Sequence, residues 1–130
     1  MRLIAGKFGR RTLKTESRVD YRPTTELARG GMFSMLSSVM RLDGARVLDL
    51  YAGTGALGFE ALSRGARTVT FVEKNPKLTQ AIKSSAATLK IDLGFYNLLN
   101  LSVDRAISSE IVIDKLKAMS IKGSYDLILC

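Results

Sequence analysis

Val47-Leu48-Asp49-Leu50-Tyr51-Ala52-Gly53-Thr54-Gly55-Ala56-Leu57-Gly58 is the stretch on which the fold turns. It reads as an apolar strand running through a tight glycine turn into a helix, and glycines there allow backbone conformations and close approaches that a Cβ would forbid. Gly53-x-Gly55-x-x-Gly58 has the spacing of a dinucleotide-binding turn. Glu73 lies 20 residues after Gly53, at the end of the next predicted strand, where a carboxylate can accept both hydroxyls of a ribose. The expected ligand is therefore a nucleoside of some kind, resting against Tyr51, Ala52, Gly53 and Gly55.

Asp49 narrows the choice. A dinucleotide brings its pyrophosphate to the helix N-terminus, and a carboxylate beside that diphosphate repels it. S-adenosylmethionine carries a sulfonium and an ammonium and no phosphate, so an acid at the end of the first strand suits its amino-acid end. Asp104, at the end of the third predicted strand, can accept from the adenine amino group, although it reads equally as the cap of the helix that follows. A nicotinamide-dependent oxidoreductase remains the alternative from another enzyme class.

Outward from the loop, short apolar runs alternate with amphipathic stretches, the pattern of βαβ units and a parallel α/β sheet. The predicted strands are 46–50, 68–72, 98–103 and 125–130, with helices near 57–64, 76–89 and 105–119. Asn75 can cap the second of these helices, Pro76 suits its first position, and Leu78, Ile82, Ala86 and Leu89 form its buried face. Upstream, Arg22-Pro23-Thr24-Thr25-Glu26 reads as the start of a helix reaching about Arg41, with Phe33, Leu36 and Met40, flanked by Met32 and Val39, turned inward. Gly30-Gly31 predicts a bend or fraying in it.

The chain has 130 residues and a net charge of +8, and five of those charges lie in Met1 to Arg22, where seven basic side chains face only Glu16 and Asp20. Residues 1–22 are expected to form a basic hairpin arm from Leu3 to Ala5 and Thr12 to Lys14, and residues 23–130 the cofactor-binding unit. Lys7, Arg10, Arg11, Lys14 and Arg22 are the candidate RNA contacts, since clustered cations with Phe8 and two glycines favour phosphate. The chain contains no His, which excludes Ser-His-Asp and Cys-His nucleophile arrangements, and its single Cys, at position 130, excludes an internal disulfide or a thiolate metal cage. No metal site is expected. No run approaches the ~18 apolar residues of a membrane span, and no secretory leader is evident, so a cytoplasmic location is expected.

Met1 to Phe8, Arg22-Pro23-Thr24-Thr25, the glycine stretch, Glu60 to Ala66 and Phe71-Val72-Glu73-Lys74 together resemble the bacterial RsmD-type family, rRNA guanine-N2 methyltransferases acting on small-subunit ribosomal RNA. The resemblance implies a Rossmann-like class I methyltransferase sheet, S-adenosylmethionine as methyl donor, and ribosomal RNA or a small-subunit particle as partner. It implies that Asp49, Gly53 and Gly55 line the methionyl side, that Glu73 holds the ribose, that Asp104 lies near adenine, and that Thr24 and Thr25, with Arg22, lie against the amino-acid end. A plain helix cap is the other reading of Thr24 and Thr25. The family's catalytic Asn/Asp-Pro-Pro-Tyr/Phe motif belongs directly after the fourth strand, and the only prolines here are Pro23 and Pro76. The sheet is thus expected to be truncated after its fourth strand, with no catalytic residue assigned and little turnover, which a radiolabelled methyl-transfer assay checks. A non-catalytic RNA-binding or regulatory fragment is the third reading, and self-association through an uncovered fourth strand is expected.

Overall fold

The computed structural model describes residues 1–16, 24–102 and 125–129. Arg22, Asp104, Cys130 and the helix expected near 105–119 lie outside the described residues. Among the described residues the elements follow in the order α1 (Glu26–Val39), β1 (Arg46–Leu50), α2 (Ala56–Ser63), β2 (Thr68–Val72), α3 (Pro76–Thr88), β3 (Tyr96–Leu99) and β4 (Leu127–Leu129). The strands form one parallel sheet in the order β3-β2-β1-β4.

Strand β1 is central because its residues are apolar on both faces. Val47 and Leu48 are buried, with α2 packed against β1 and β2. The sheet extends from β1 in both directions, towards β2 and towards β4, so the strand order reverses there. A crevice outside the carboxyl end of such a strand is where open α/β sheets bind ligands.

Helix α3 begins as its sequence dictates. The Asn75 side chain accepts from Lys77 N at 2.9 Å, Pro76 opens the helix, and Leu78, Ile82, Ala86 and Leu89 are all buried. In α1 the Thr25 hydroxyl is the cap, accepting from Ala28 N at 3.1 Å. Phe33 is fully buried, and Met32, Leu36 and Met40 pack beside it, whereas Val39 is exposed.

Contrary to the expected bend, α1 runs unbroken through Gly30 and Gly31. The packing of Phe33 and its neighbours holds the helix across a pair of poor helix formers. Strand β3 also differs from expectation, starting at Tyr96 and ending at Leu99. Its start is set by pairing with β2, since Val69 N donates to Phe95 O and Tyr96 lies opposite Val69. Asn100 ends it, because its side-chain amide donates to the carbonyls of Glu73 and Lys74.

Among its described residues the arm forms a hairpin-like turn with one antiparallel bridge, Arg2 to Thr12, and not the two strands expected. The amides of Ile4 and Ala5, which a strand partner would take, donate instead to the Glu60 carboxylate at 2.9 and 3.1 Å. The turn is joined to α2 and α3 by Lys7 N on Ser63 O, Phe8 N on Ser63 Oγ and Lys14 N on Ser85 Oγ. Leu3 and Leu13 are buried in the main core.

Candidate cofactor site

At the carboxyl end of β1 the chain must reverse into α2 within a few residues. It does so through three left-handed conformations, Tyr51 (φ 55°), Gly53 (φ 61°) and Gly55 (φ 83°). Two hydrogen bonds hold the bend, Ala52 N to Val72 O at 3.0 Å and Gly55 N to Ala52 O at 2.8 Å. Tyr51 is not a glycine, and a left-handed residue with a Cβ costs roughly 1–2 kcal/mol. Its side chain is exposed at the rim of the bend.

The glycines divide their work differently from the simple expectation of bare backbone for a ligand. A Cβ on Gly58 would lie 2.3 Å from the Phe71 ring, 2.8 Å from Val69 and 3.0 Å from Asp49 Oδ2. Gly58 therefore lets α2 pack on β2. A Cβ on Gly55 would meet the rings of Phe59 and Phe71, which stack at 4.9 Å between centroids. The left-handed turn at Gly55 thus also serves the core.

Asp49 is buried, and its Oδ2 accepts from Gly58 N at 3.0 Å. Burial pushes its carboxyl up from 3.8 to about 7; the Gly58 hydrogen bond opposes this and the charge of Glu73 adds to it. The folded protein then binds more protons than the unfolded chain between pH 3.8 and about 7. The corresponding stability is fully present below pH 3.8 and is lost as pH rises through about 7. An Asp49→Asn variant keeps an acceptor for Gly58 N and does not titrate, so its thermal midpoint should exceed that of the parent at pH 8, with the gap narrowing below about pH 7 and closing near pH 3.8. A gap independent of pH would show that Asp49 does not titrate in this range.

Glu73 faces the loop from the end of β2. Its Oε2 accepts from Gly53 N at 2.8 Å and its Oε1 from Asn75 N at 2.9 Å. Each carboxylate oxygen has a second acceptor site, so both can still receive hydroxyls. Glu73 thus also acts as a clamp between β2 and the turn, a role the sequence did not signal.

The structure brings Asp49, Tyr51, Ala52, Gly53, Gly55 and Glu73 together. Thr25 serves as the α1 cap, and Thr24 offers its carbonyl to Arg29 Nη1 at 3.3 Å. Neither makes a hydrogen bond to the glycine loop among the described residues. The four described arm cations, Lys7, Arg10, Arg11 and Lys14, are exposed. Arg11 Nη2 donates to Thr88 O at 3.2 Å.

Sequence reasoning missed two buried charges. Glu60, on the packed face of α2, anchors the arm and also accepts from Arg64 Nε at 3.0 Å. Its signal was an acid on an otherwise apolar helix with an Arg four residues on. Arg29, fully buried in α1, donates to Thr24 O and Arg2 O, and its Nε has no partner.

A parallel sheet reversing order at β1, with a glycine turn after that strand and acids at the ends of β1 and β2, is the cofactor-binding framework of class I methyltransferases. A family model described as Conserved hypothetical protein 95 matches residues 1–118, and the chain belongs to that family. It is 42% identical over 91 residues to a Bacillus subtilis protein whose name includes the words rRNA methyltransferase, covering 70% of this chain and 48% of that one. It is 39% identical over 90 residues to the Escherichia coli ribosomal RNA small subunit methyltransferase D, covering 69% and 44%. A solved Escherichia coli structure, described with the word methyltransferase, superposes with a TM-score of 0.67 at 33% identity, covering 78% of this chain and 52% of that one. The chain spans about half the length of the curated relatives it matches.

Proposed function

We propose that this chain is the cofactor-binding part of an S-adenosylmethionine-dependent RNA methyltransferase, acting on a guanine N2 amine of small-subunit ribosomal RNA. The observation that carries the reading is the buried Asp49 beneath a glycine bend that Glu73 clamps. The names of the relatives support the reaction and the substrate class. The base and the atom modified rest on the RsmD-type resemblance.

When bound, S-adenosylmethionine supplies an electrophilic methyl group that an amine displaces in line from sulfur. Asp49 would accept from its ammonium, and Glu73 from its ribose hydroxyls. Ionised Asp49 attracts that cation and neutral Asp49 does not, so affinity should rise as pH approaches 7 and level off above it. A nicotinamide coenzyme fits less well, because its pyrophosphate would approach Asp49 at the start of α2. Asp104 as an adenine partner, and Thr24 and Thr25 at the methionyl end, remain part of the proposal.

RNA is held, in this reading, by Lys7, Arg10, Arg11 and Lys14 with Arg22. Binding of small-subunit ribosomal RNA should weaken with salt at a log–log slope of about −2 to −3, as three to four single-strand phosphate contacts give. Replacing Lys7, Arg10, Arg11 and Lys14 together by Ala should flatten that slope and lower low-salt affinity by at least about tenfold, read by filter binding. Affinity unchanged by salt would remove the arm from RNA recognition.

Among the described residues no helix is long and apolar enough to cross a membrane. A cytoplasmic location accords with a ribosomal RNA substrate. Strand β4 pairs with β1 on one side, and Ile128 is exposed upon it, which supports pairing with a second copy. A monomer at high concentration in sedimentation would count against that association.

A further inference from the structure

A second pocket lies at the opposite end of the sheet from Asp49 and Glu73. Its walls are the arm turn with Lys7 and Phe8, the α2–β2 turn with Ala66, and the α3–β3 connection with Lys90, Ile91 and Phe95. Its volume is roughly 200 Å³, below the ~300–1,000 Å³ usual for whole small-molecule ligands and on the scale of one planar base.

The chemistry of the walls is specific. Phe95 is half-exposed at the rim, an unusual place for a large apolar ring, while Phe8 packs against the core. Lys7 Nζ lies 5.4 Å from the Phe8 ring centroid, which fixes one cation there. Lys90 supplies a second cation from a left-handed backbone conformation (φ 57°), where glycine is the unstrained choice. The arm wall is pinned by Lys7 N and Phe8 N on Ser63, and the far wall by Phe95 N on Asp92 O. The neighbouring acids are Asp92, in the α3–β3 connection, and Asp43, against the α2–β2 turn; both are exposed. Arg10, Arg11 and Lys14 continue the positive surface along the arm.

We propose that this pocket takes one nucleotide of single-stranded RNA, its base stacked on Phe95 and its phosphates held by Lys7 and Lys90. The inference rests on the RNA reading above and extends it, because it places an RNA contact far from the methyl-transfer end of the sheet. Stacking on an aromatic face tolerates any base, so the pocket anchors the strand and does not choose the sequence.

The test uses the 130-residue chain and a fluorescein-labelled, mixed-sequence hexaribonucleotide, read by anisotropy. Phe95→Ala should weaken binding about tenfold, and Phe95→Tyr should restore it. Lys90→Gly removes the charge while relieving the backbone, and should reduce the salt slope by about 0.7. A hexamer of abasic residues should bind the parent and Phe95→Ala alike, and calorimetric affinity for S-adenosylmethionine should stay unchanged in all variants. Equal binding of the intact hexamer by the parent, Phe95→Ala and Lys90→Gly would overturn the pocket assignment while leaving the RNA reading in place. If the parent itself fails to bind the hexamer in a salt-dependent manner, the pocket assignment and the RNA reading both fail.

Discussion

Glu73→Ala is expected to lower affinity for S-adenosylmethionine by at least about 100-fold, measured by isothermal titration calorimetry. Hydrogen bonds to a charged acceptor contribute about 1.5–3 kcal/mol each, and two ribose hydroxyls would be affected. The same carboxylate also holds Gly53 N and Asn75 N, so its removal releases the bend that shapes the site. Glu73→Gln should rescue only in part. Its amide nitrogen cannot accept, so either Gly53 N or Asn75 N loses its partner. A variant that binds as tightly as the parent would remove Glu73 from the cofactor site.

The largest effect on stability is expected at Gly58. Gly58→Ala places a methyl 2.3 Å from the Phe71 ring and 2.8 Å from Val69, both buried, so the helix and strand must separate. Overpacking of this kind costs about 1–3 kcal/mol, occasionally more, against a gain in helix propensity of about 1 kcal/mol. With the Asp49 to Gly58 hydrogen bond strained as well, a net loss of about 1–3 kcal/mol is expected in urea unfolding. Gly31→Ala is the control, because nothing lies within 4 Å of its Cβ position. It should gain roughly 0.5–1 kcal/mol. Destabilisation of similar size at both positions would mean that close packing at Gly58 is not the cause.

The parts of the fold legible in the sequence are those governed by local chemistry. Strands β1 and β2 have the expected bounds, and α3 begins at the Asn75-Pro76 signal. What was not legible depends on partners distant in the chain. The limits of β3 are set by Val69 and by the Asn100 side chain, and the arm gives its amides to Glu60, more than fifty residues away. Gly30-Gly31 misled because helix propensity is a weak effect beside the burial of Phe33.

The meeting of Asp49, Gly53 and Glu73 at one bend was legible, because each position follows from its place relative to a strand end. The division of labour among the glycines was not, because only the positions of Phe59, Phe71 and Val69 show that Gly55 and Gly58 serve packing. Arg29 was hidden for another reason. A basic residue on a helix is ordinarily read as solvated, and nothing in its neighbours signals that both Arg2 and Thr24 would turn carbonyls towards it.

Calorimetric titration of the chain at pH 7.5 with S-adenosylmethionine, beside NAD as comparator, decides whether the bend at Asp49 and Glu73 holds the methyl donor. Single-site binding of S-adenosylmethionine, lost in Glu73→Ala, and no saturable heat from NAD are expected. Saturation by NAD with no heat from S-adenosylmethionine would contradict this.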